Sequence, residues 1–461
     1  MVTSSGARRA GTAILWFRRD LRLSDHPALS AASSRFERVV PLYVWDPHLI
    51  GPSGANRLSF LSGCVDALGA SLGGRLVIRS GPPSRTIPEV ARHIGAEAVV
   101  VTRDFGPYGT RRDTEVSAAL GEGTELIALD SPYAVSPGSL LTTGGSPFQV
   151  FTPFARAWRT HGWDAPMRRP RLGCLDRAGL HDQVPRLPAA AAASLPEPGE
   201  GAAHRRLDTF LRAGAAGYRH ERDRPDMDRT SRLSPYLRFG CLHPRQVLDR
   251  LEAGRPGHDT FATELCWREF YADVLHHRPD AARRAYRPEW RAFPVDTGRG
   301  ADERLEAWRN GRTGYPIVDA GMRQLRHEGW MHNRVRMIVA SFLVKDLHVD
   351  WGRGARWFME QLVDGDLASN QLNWQWVAGS GTDAAPFFRV FNPVTQGRKF
   401  DPDGAYVRRW VPELASVDST VVHEPWKAGD TLFDSVDYPP PIVDHAVERE
   451  EALARYRRVA R

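Results

Sequence analysis

The sequence predicts an α/β domain built on a parallel sheet over residues 1–130, a long linker over 131–203 and an all-α domain over 204–461. Three observations lead there. Between residue 13 and about 130, short apolar runs alternate with helix-like segments, the rhythm of β-α-β units. The periodicity then fades and Pro, Ala and Gly accumulate up to about residue 200. From 204 onward helical spacing dominates, with acids at helix starts and Gly or Pro stops, and almost no β-rich run appears.

The apolar runs of the first domain are Ala13 to Phe17, Val39 to Trp45, Leu76 to Arg79, Ala98 to Thr102 and Glu125 to Leu129. No GxGxxG follows the first of them, which argues against a dinucleotide pyrophosphate site at that turn. Instead, WFRRDLR sets Arg18, Arg19 and Arg22 just past its carboxyl end. Ligands of parallel sheets bind at that edge, so Arg18, Asp46 and Asp104 are candidate pocket residues, with surface ion pairing as the alternative. The linker contains DQVPRLPAAAAASLPEPGEGAAHRR, and the aromatic GGSPFQVFTPFARAW before it is expected to pack on a domain.

Composition excludes several classes. A chain of 461 residues at 42% hydrophobic is long enough for two or three cores and is not disordered. The net charge is +7, and lysine occurs only at Lys345, Lys399 and Lys427, so the positive charge is almost all arginine. Arginine suits phosphate contacts and fits a nucleic-acid partner, although a coding bias gives the same excess. Cys64, Cys174, Cys241 and Cys266 are far apart and form no CxxC, which favours free thiols in a reducing compartment. No apolar h-region follows the basic first residues and no run is long enough to span a bilayer. A cytoplasmic monomer with no membrane partner is expected. HExxH, paired cysteines and GxSxG are lacking, so neither a metal site nor a nucleophilic hydrolase is expected.

The chemistry concentrates between Trp330 and Trp376. Val335, Ile338, Val339, Phe342 and Leu343 recur at helical spacing and form one buried stripe. Arg336 lies beside that stripe and cannot shed its charge, so it needs an acid, and Asp364 and Asp366 of the DGD turn are the candidates. Asp366, Asn370 and Trp374 are four apart and line one face of a helix, while Trp376 is expected to face another surface. Two further stretches carry polar chemistry. Thr230, Ser231, Arg232, Leu233 and Ser234 precede Pro235 as a hydroxyl-rich helix start, which reads as a phosphate cradle or as a plain N-cap. In TELCWREFYADVL, Glu264 and Trp267 can hold the edge and face of an extruded base; a buried Trp with a solvated Glu fits the local pattern equally well.

Several of these segments together resemble the DNA photolyase and cryptochrome family: WMHNRVRM, DGDLASNQLNWQW, GTDAAPFFRVFNPVTQGRKFDPDGAYVRRW, ILWFRRDLRLSDHPAL, TSRLSPYLRFG, ELCWREFY and GRTGYPIVDAGMRQL. The resemblance covers nearly the whole chain and is nearest the class I cyclobutane pyrimidine dimer photolyases. It implies a helical FAD-binding catalytic domain, FAD reduced in the active form, UV-damaged DNA as partner, and light-driven electron transfer to a flipped-out dimer. It implies that Tyr218, Thr230, Ser231, Arg232, Leu233, Ser234, Arg268, Asn333, Arg336, Asp364, Asp366 and Asn370 hold the flavin. Glu264, Trp267, Met337 and Trp376 are implied to hold the lesion, with Glu264, Asn370, Trp374 and Trp351 in the catalytic set. Trp374 and Trp351 match two members of the family's electron relay. The third is missing, since Phe293 and Pro294 are followed by Val295, which leaves Trp290, Trp410 or a tyrosine as the exit. A second antenna chromophore is implied near Arg18, Asp46 and Asp104. The turn DFGPYGTRRD favours 8-hydroxy-5-deazaflavin over methenyltetrahydrofolate. A cryptochrome-like photosensor without repair activity is the alternative, and Asn370 separates the two, because plant-type cryptochromes carry Asp there and animal-type ones Cys.

Overall fold

The computed structural model describes residues 9–180, 184–383, 388–427 and 437–459, so residues 384–387 of the quoted GTDAAPFF motif lie outside the described residues. The five apolar runs form strands β1 (Arg9–Phe17), β2 (Phe36–Trp45), β3 (Val77–Ser80), β4 (Ala96–Thr102) and β5 (Glu125–Leu129). All pair in parallel in the order β3-β2-β1-β4-β5. Successive side chains of a strand face opposite ways, and both faces here are covered. Ile14, Trp16, Val40, Leu42, Val99 and Val101 pack on the side of helices Pro83–Ile94 and Pro107–Ala119. Ala13, Leu15, Phe17, Val39, Tyr43 and Val100 pack on the side of helices Pro27–Arg35 and Ala55–Ser71. Burial on both faces is why these strands read as unbroken apolar runs.

The strand order reverses between β1 and β4, so their carboxyl ends open a crevice at Arg18 and Asp104. Beyond β5 the segment expected to be a linker holds the helix Phe151–His161, whose Phe151, Phe154 and Trp158 are buried. The next helix spans Glu200–Ala213, so the boundary drawn at residue 203 falls inside it.

The helical part carries a second core, in which the stripe from Val335 to Leu343 is central. The first core runs on into it, since Phe60 of the α/β part packs against Tyr236 and Phe239. Where the two parts meet, the Leu21 amide donates to the Phe239 carbonyl at 3.1 Å. Gly240 there has φ +66°, and a Cβ would lie 1.9 Å from the Arg19 carbonyl oxygen, so only glycine fits the junction.

Lys345, at the end of helix Asn333–Lys345, is 5% exposed, and burial pulls its ammonium pKa down from 10.5 to about 7. The unfolded chain holds this proton up to about pH 10.5 and the folded chain releases it near pH 7. In that window the unfolded state binds more protons, so this residue makes stability rise with pH, by at most about 1.4 kcal/mol per pH unit. Urea unfolding at several pH values within the window is expected to show a weaker rise in Lys345→Met than in wild type. Equal slopes would assign the dependence to other groups.

Candidate flavin and lesion site

Helix Leu367–Ala378 is the densest part of the site. Asp366 is its N-cap and accepts from the Ser369 amide at 3.1 Å. The same carboxylate takes Arg19 of the α/β part at 2.9 Å, with Arg238 at 3.9 Å. Burial alone would raise the Asp366 pKa, but the coulombic pull of Arg19 and Arg238 outweighs it and holds the carboxylate far below its usual range. One turn on, the Asn370 amide donates to the Ala355 carbonyl at 3.0 Å and to Gln371 Oε1 at 2.9 Å. Both amide hydrogens are thus spent inside the protein, which leaves Oδ1, an acceptor, for the cavity. Trp374 is buried with the edge of its indole against helix Trp351–Gln361; a Cβ on Gly354 would lie 2.3 Å from that ring, so glycine is required for the approach. Trp376 donates its indole N–H to the Asp383 carbonyl at 3.1 Å.

Helix Asn333–Lys345 contributes Asn333, Arg336 and Met337. Arg336 donates to the Met331 carbonyl and to Asp364 Oδ2, both at 2.8 Å, and Ser234 Oγ donates to the same oxygen at 2.6 Å. Asp364 Oδ1 is buried with no hydrogen-bond partner among the described residues. The Thr230 to Ser234 segment is held from behind by Arg206, which donates to the carbonyls of Thr230 and Ser231 at 2.9 and 2.7 Å. Arg232 has a left-handed backbone, φ +50°, and its guanidinium lies 4.2 Å from the Trp330 ring centre. Thr230 Oγ1 is a second buried polar atom without a partner.

From helix Pro256–His277 come Glu264, Trp267 and Arg268. Glu264 forms an ion pair with Arg222, yet burial keeps its carboxyl above the usual pKa. Trp267 stacks face to face on Phe151, with ring centres 3.5 Å apart and planes within 7°. Arg268 donates to the carbonyls of Pro132 and Leu237 at 3.3 and 3.2 Å.

Of these, the residues expected to hold flavin or lesion, with Tyr218 and Leu233, line one cavity of about 610 Å³, together with Trp374. The cavity extends round helix Leu367–Ala378 and takes in both Trp374 and Trp376, and Trp376 alone of the two also borders a separate small pocket with Trp290 and Phe388, in keeping with its spacing. Trp351 lies outside it, half-buried at the start of its helix. Sequence reasoning missed Arg222, Arg238, Phe261, Tyr271 and Asp383 in the lining. Arg238 had a signal, four residues after Ser234 on the same short helix.

The antenna candidates sit apart. Arg18 is bound to Asp113 and the Thr102 carbonyl, Asp46 to the Tyr108 hydroxyl, and Asp104 to the Gly106 amide at 3.1 Å and Arg112 at 3.4 Å. Burial would raise the Asp104 pKa, but Arg112, Arg19 and Arg18 bring it to about 2. Of the three, Asp104 alone lines a second cavity, of about 800 Å³, together with Phe105, Asp113, Ser139 and His276. Among the described residues no group of three or more His, Cys, Asp or Glu is placed to hold a metal, and no helix is long and apolar enough to cross a membrane.

Comparison with known proteins agrees with this geometry. Residues 261–458 match the family described as the FAD binding domain of DNA photolyase, and residues 13–171 match DNA photolyase. The chain is 44% identical to the deoxyribodipyrimidine photo-lyase of Streptomyces griseus, over 97% of this chain and 98% of that one. Its structure is similar to a class III photolyase from Agrobacterium tumefaciens, with a TM-score of 0.91 at 39% identity and full coverage of both chains. It is also similar to a Synechocystis cryptochrome, with a TM-score of 0.88 at 30% identity over 97% of this chain and 99% of that one. The cavity fits FAD: the bare oxygens of Asp364 and Thr230 await polar partners, and its volume is in the range of cofactor sites. The chain therefore belongs to the DNA photolyase and cryptochrome family, as an enzyme whose helical part is an FAD-binding domain.

Proposed function

We propose that this enzyme repairs cyclobutane pyrimidine dimers in UV-damaged DNA with light as its energy source. The observation that carries the reading is the continuity of one cavity, from the buried polar floor at Asp364, Asp366 and Asn370 to the aromatic walls Trp267 and Trp376. Arg336, Asp364, Asp366, Asn333, Asn370, Tyr218, Arg268 and the segment Thr230 to Ser234 would hold FAD. When bound reduced and excited by light, FAD supplies one electron to the lesion and recovers it after the ring opens.

The rest falls to the side chains. Asn370 presents its amide oxygen, so it suits a ligand that brings an N–H, and it adds no charge beside an anionic one. Trp267, backed by Phe151, and Trp376, anchored on Asp383, offer two flat faces for stacking on a flipped-out dimer. Glu264 is positioned by Arg222 to bond a base edge, and Met337 closes the wall between. The sequence places the chain nearest class I enzymes and the Agrobacterium structure carries the class III label; the repair reading rests on the cavity and not on the subclass. The test is repair of defined dimers in light and in darkness. Light-dependent repair is expected, and a flavin-loaded protein inert toward dimers in light would turn the reading to a photosensor.

Trp374 and Trp351 are proposed as an electron relay; the Trp374 ring packs on Gly354, about one helical turn from Trp351 on the neighbouring helix. Trp290 is the exit best placed to continue it, since it lines a cavity together with Trp351 and stacks on Phe293 and Phe388. Trp410 packs instead against His327. In oxidised, flavin-loaded Trp374→Phe, transient absorption is expected to show no light-oxidised tryptophan, while repair by chemically reduced enzyme continues. Loss of that repair with flavin still bound would give Trp374 a further role.

For the antenna we propose 8-hydroxy-5-deazaflavin, methenyltetrahydrofolate being the less favoured choice, at the crevice marked by Asp104. Asp104 and the Phe105 ring support that placement by lining the adjoining cavity. Extraction of a folate with no deazaflavin would reverse the choice.

A further inference from the structure

A third cavity, of about 350 Å³, lies beside helix Trp351–Gln361 and outside the site described above. Its walls are aromatic. Trp351 and Trp290 line it with Phe293 and Phe388, and Trp290 stacks on both phenylalanines, with ring centres 5.2 and 6.0 Å away. Its rim is cationic: Arg283 and Arg284 are exposed there, and Asp350 is the single acid in the lining. That acid already accepts from the Gly352 amide at 2.9 Å as an N-cap.

One polar atom in the lining is left over. Ser380, one of the lining residues, is 3% exposed, and its hydroxyl has no hydrogen-bond partner among the described residues. Leaving a buried hydroxyl unsatisfied is costly, and an unsatisfied group of this kind calls for an explanation. A ligand with a polar ring edge supplies one.

We propose that this cavity binds a small flat aromatic anion of the mononucleotide class, its ring against Trp351 and Trp290, a ring heteroatom on Ser380 and its phosphate at Arg283 and Arg284. Ring and charge are both needed. Aromatic walls stack any planar ring, the arginine rim selects those that carry an acid, and the volume suits one ring system and not a dinucleotide.

Calorimetric titration of the FAD-loaded protein tests this, with AMP as probe and adenosine and inorganic phosphate as controls. AMP is expected to bind saturably, and both controls about tenfold or more weaker, since each lacks one half of the recognition. The double variant Arg283→Glu with Arg284→Glu touches only exposed side chains and is expected to keep its flavin and melting temperature while losing about tenfold or more in AMP affinity. Ser380→Ala is expected to weaken AMP severalfold and leave phosphate unaffected. The assignment is overturned by absence of saturable AMP binding, by phosphate binding as tightly as AMP, or by an unchanged dissociation constant in the double variant. Displacement of AMP by an undamaged single-stranded oligonucleotide at comparable affinity per nucleotide would transfer the cavity to a DNA strand and also overturn it.

Discussion

Asp364→Ala is expected to purify without flavin colour. Its Oδ2 is shared between Arg336 at 2.8 Å and Ser234 at 2.6 Å, and the side chain is 3% exposed. Removing it leaves Arg336, a quarter exposed, with the Met331 carbonyl as its one remaining hydrogen-bond partner among the described residues. Breaking a buried pair from one side costs about 3–5 kcal/mol, which is roughly a 150- to 4000-fold loss if it all appears in cofactor affinity. Part of that loss is expected in stability instead, so flavin content and the urea midpoint must be measured together. Asp364→Asn keeps an acceptor at the position and is expected to fall between wild type and alanine. Full flavin occupancy at unchanged stability in the alanine variant would remove Asp364 from the site.

The second large effect is expected at the mouth of the cavity. Lost stacking costs about 1–3 kcal/mol per base, so Trp267→Ala and Trp376→Ala should each weaken binding of a dimer-containing oligonucleotide by roughly 5- to 150-fold. The two positions are not equivalent. Behind Trp267 lies Phe151 at 3.5 Å, which is uncovered when the indole goes and offers a partial substitute face. Trp376 has no such backing ring in contact among the described residues, and its N–H also ties down the Asp383 carbonyl. Trp376→Ala is therefore expected to cost more. Affinity for undamaged DNA serves as the control; an equal loss there would make the indoles general surface contacts and not holders of the lesion.

How much of this was legible in the sequence depended on distance along the chain. The five strands were readable because residues such as Val99 and Val100 are buried on opposite faces, which turns a strand into a continuous apolar run. Asp366, Asn370 and Trp374 were readable because a helix converts a spacing of four into a shared face. That Trp376 shares a cavity with Trp374 while also bordering a second pocket was not readable from spacing, which fixes direction from the axis but says nothing of how far a cavity curves round it. The partner of Glu264 was out of reach: Arg222 lies 42 residues away, and no local pattern ties the two. The same holds for Phe151 behind Trp267: its aromatic stretch was expected to pack on a domain, but no local pattern named the helix it meets.

The bond between Arg19 and Asp366 spans 347 residues of sequence. During synthesis the α/β part emerges first, and domains generally fold as units, whereas the carboxylate that Arg19 binds emerges 347 residues later. Closing so long a loop is slow, because its entropy is spent before any contact returns it. The N-cap of the helix that carries Asn370, Trp374 and Trp376 is thus finished late, and with it the floor of the cavity.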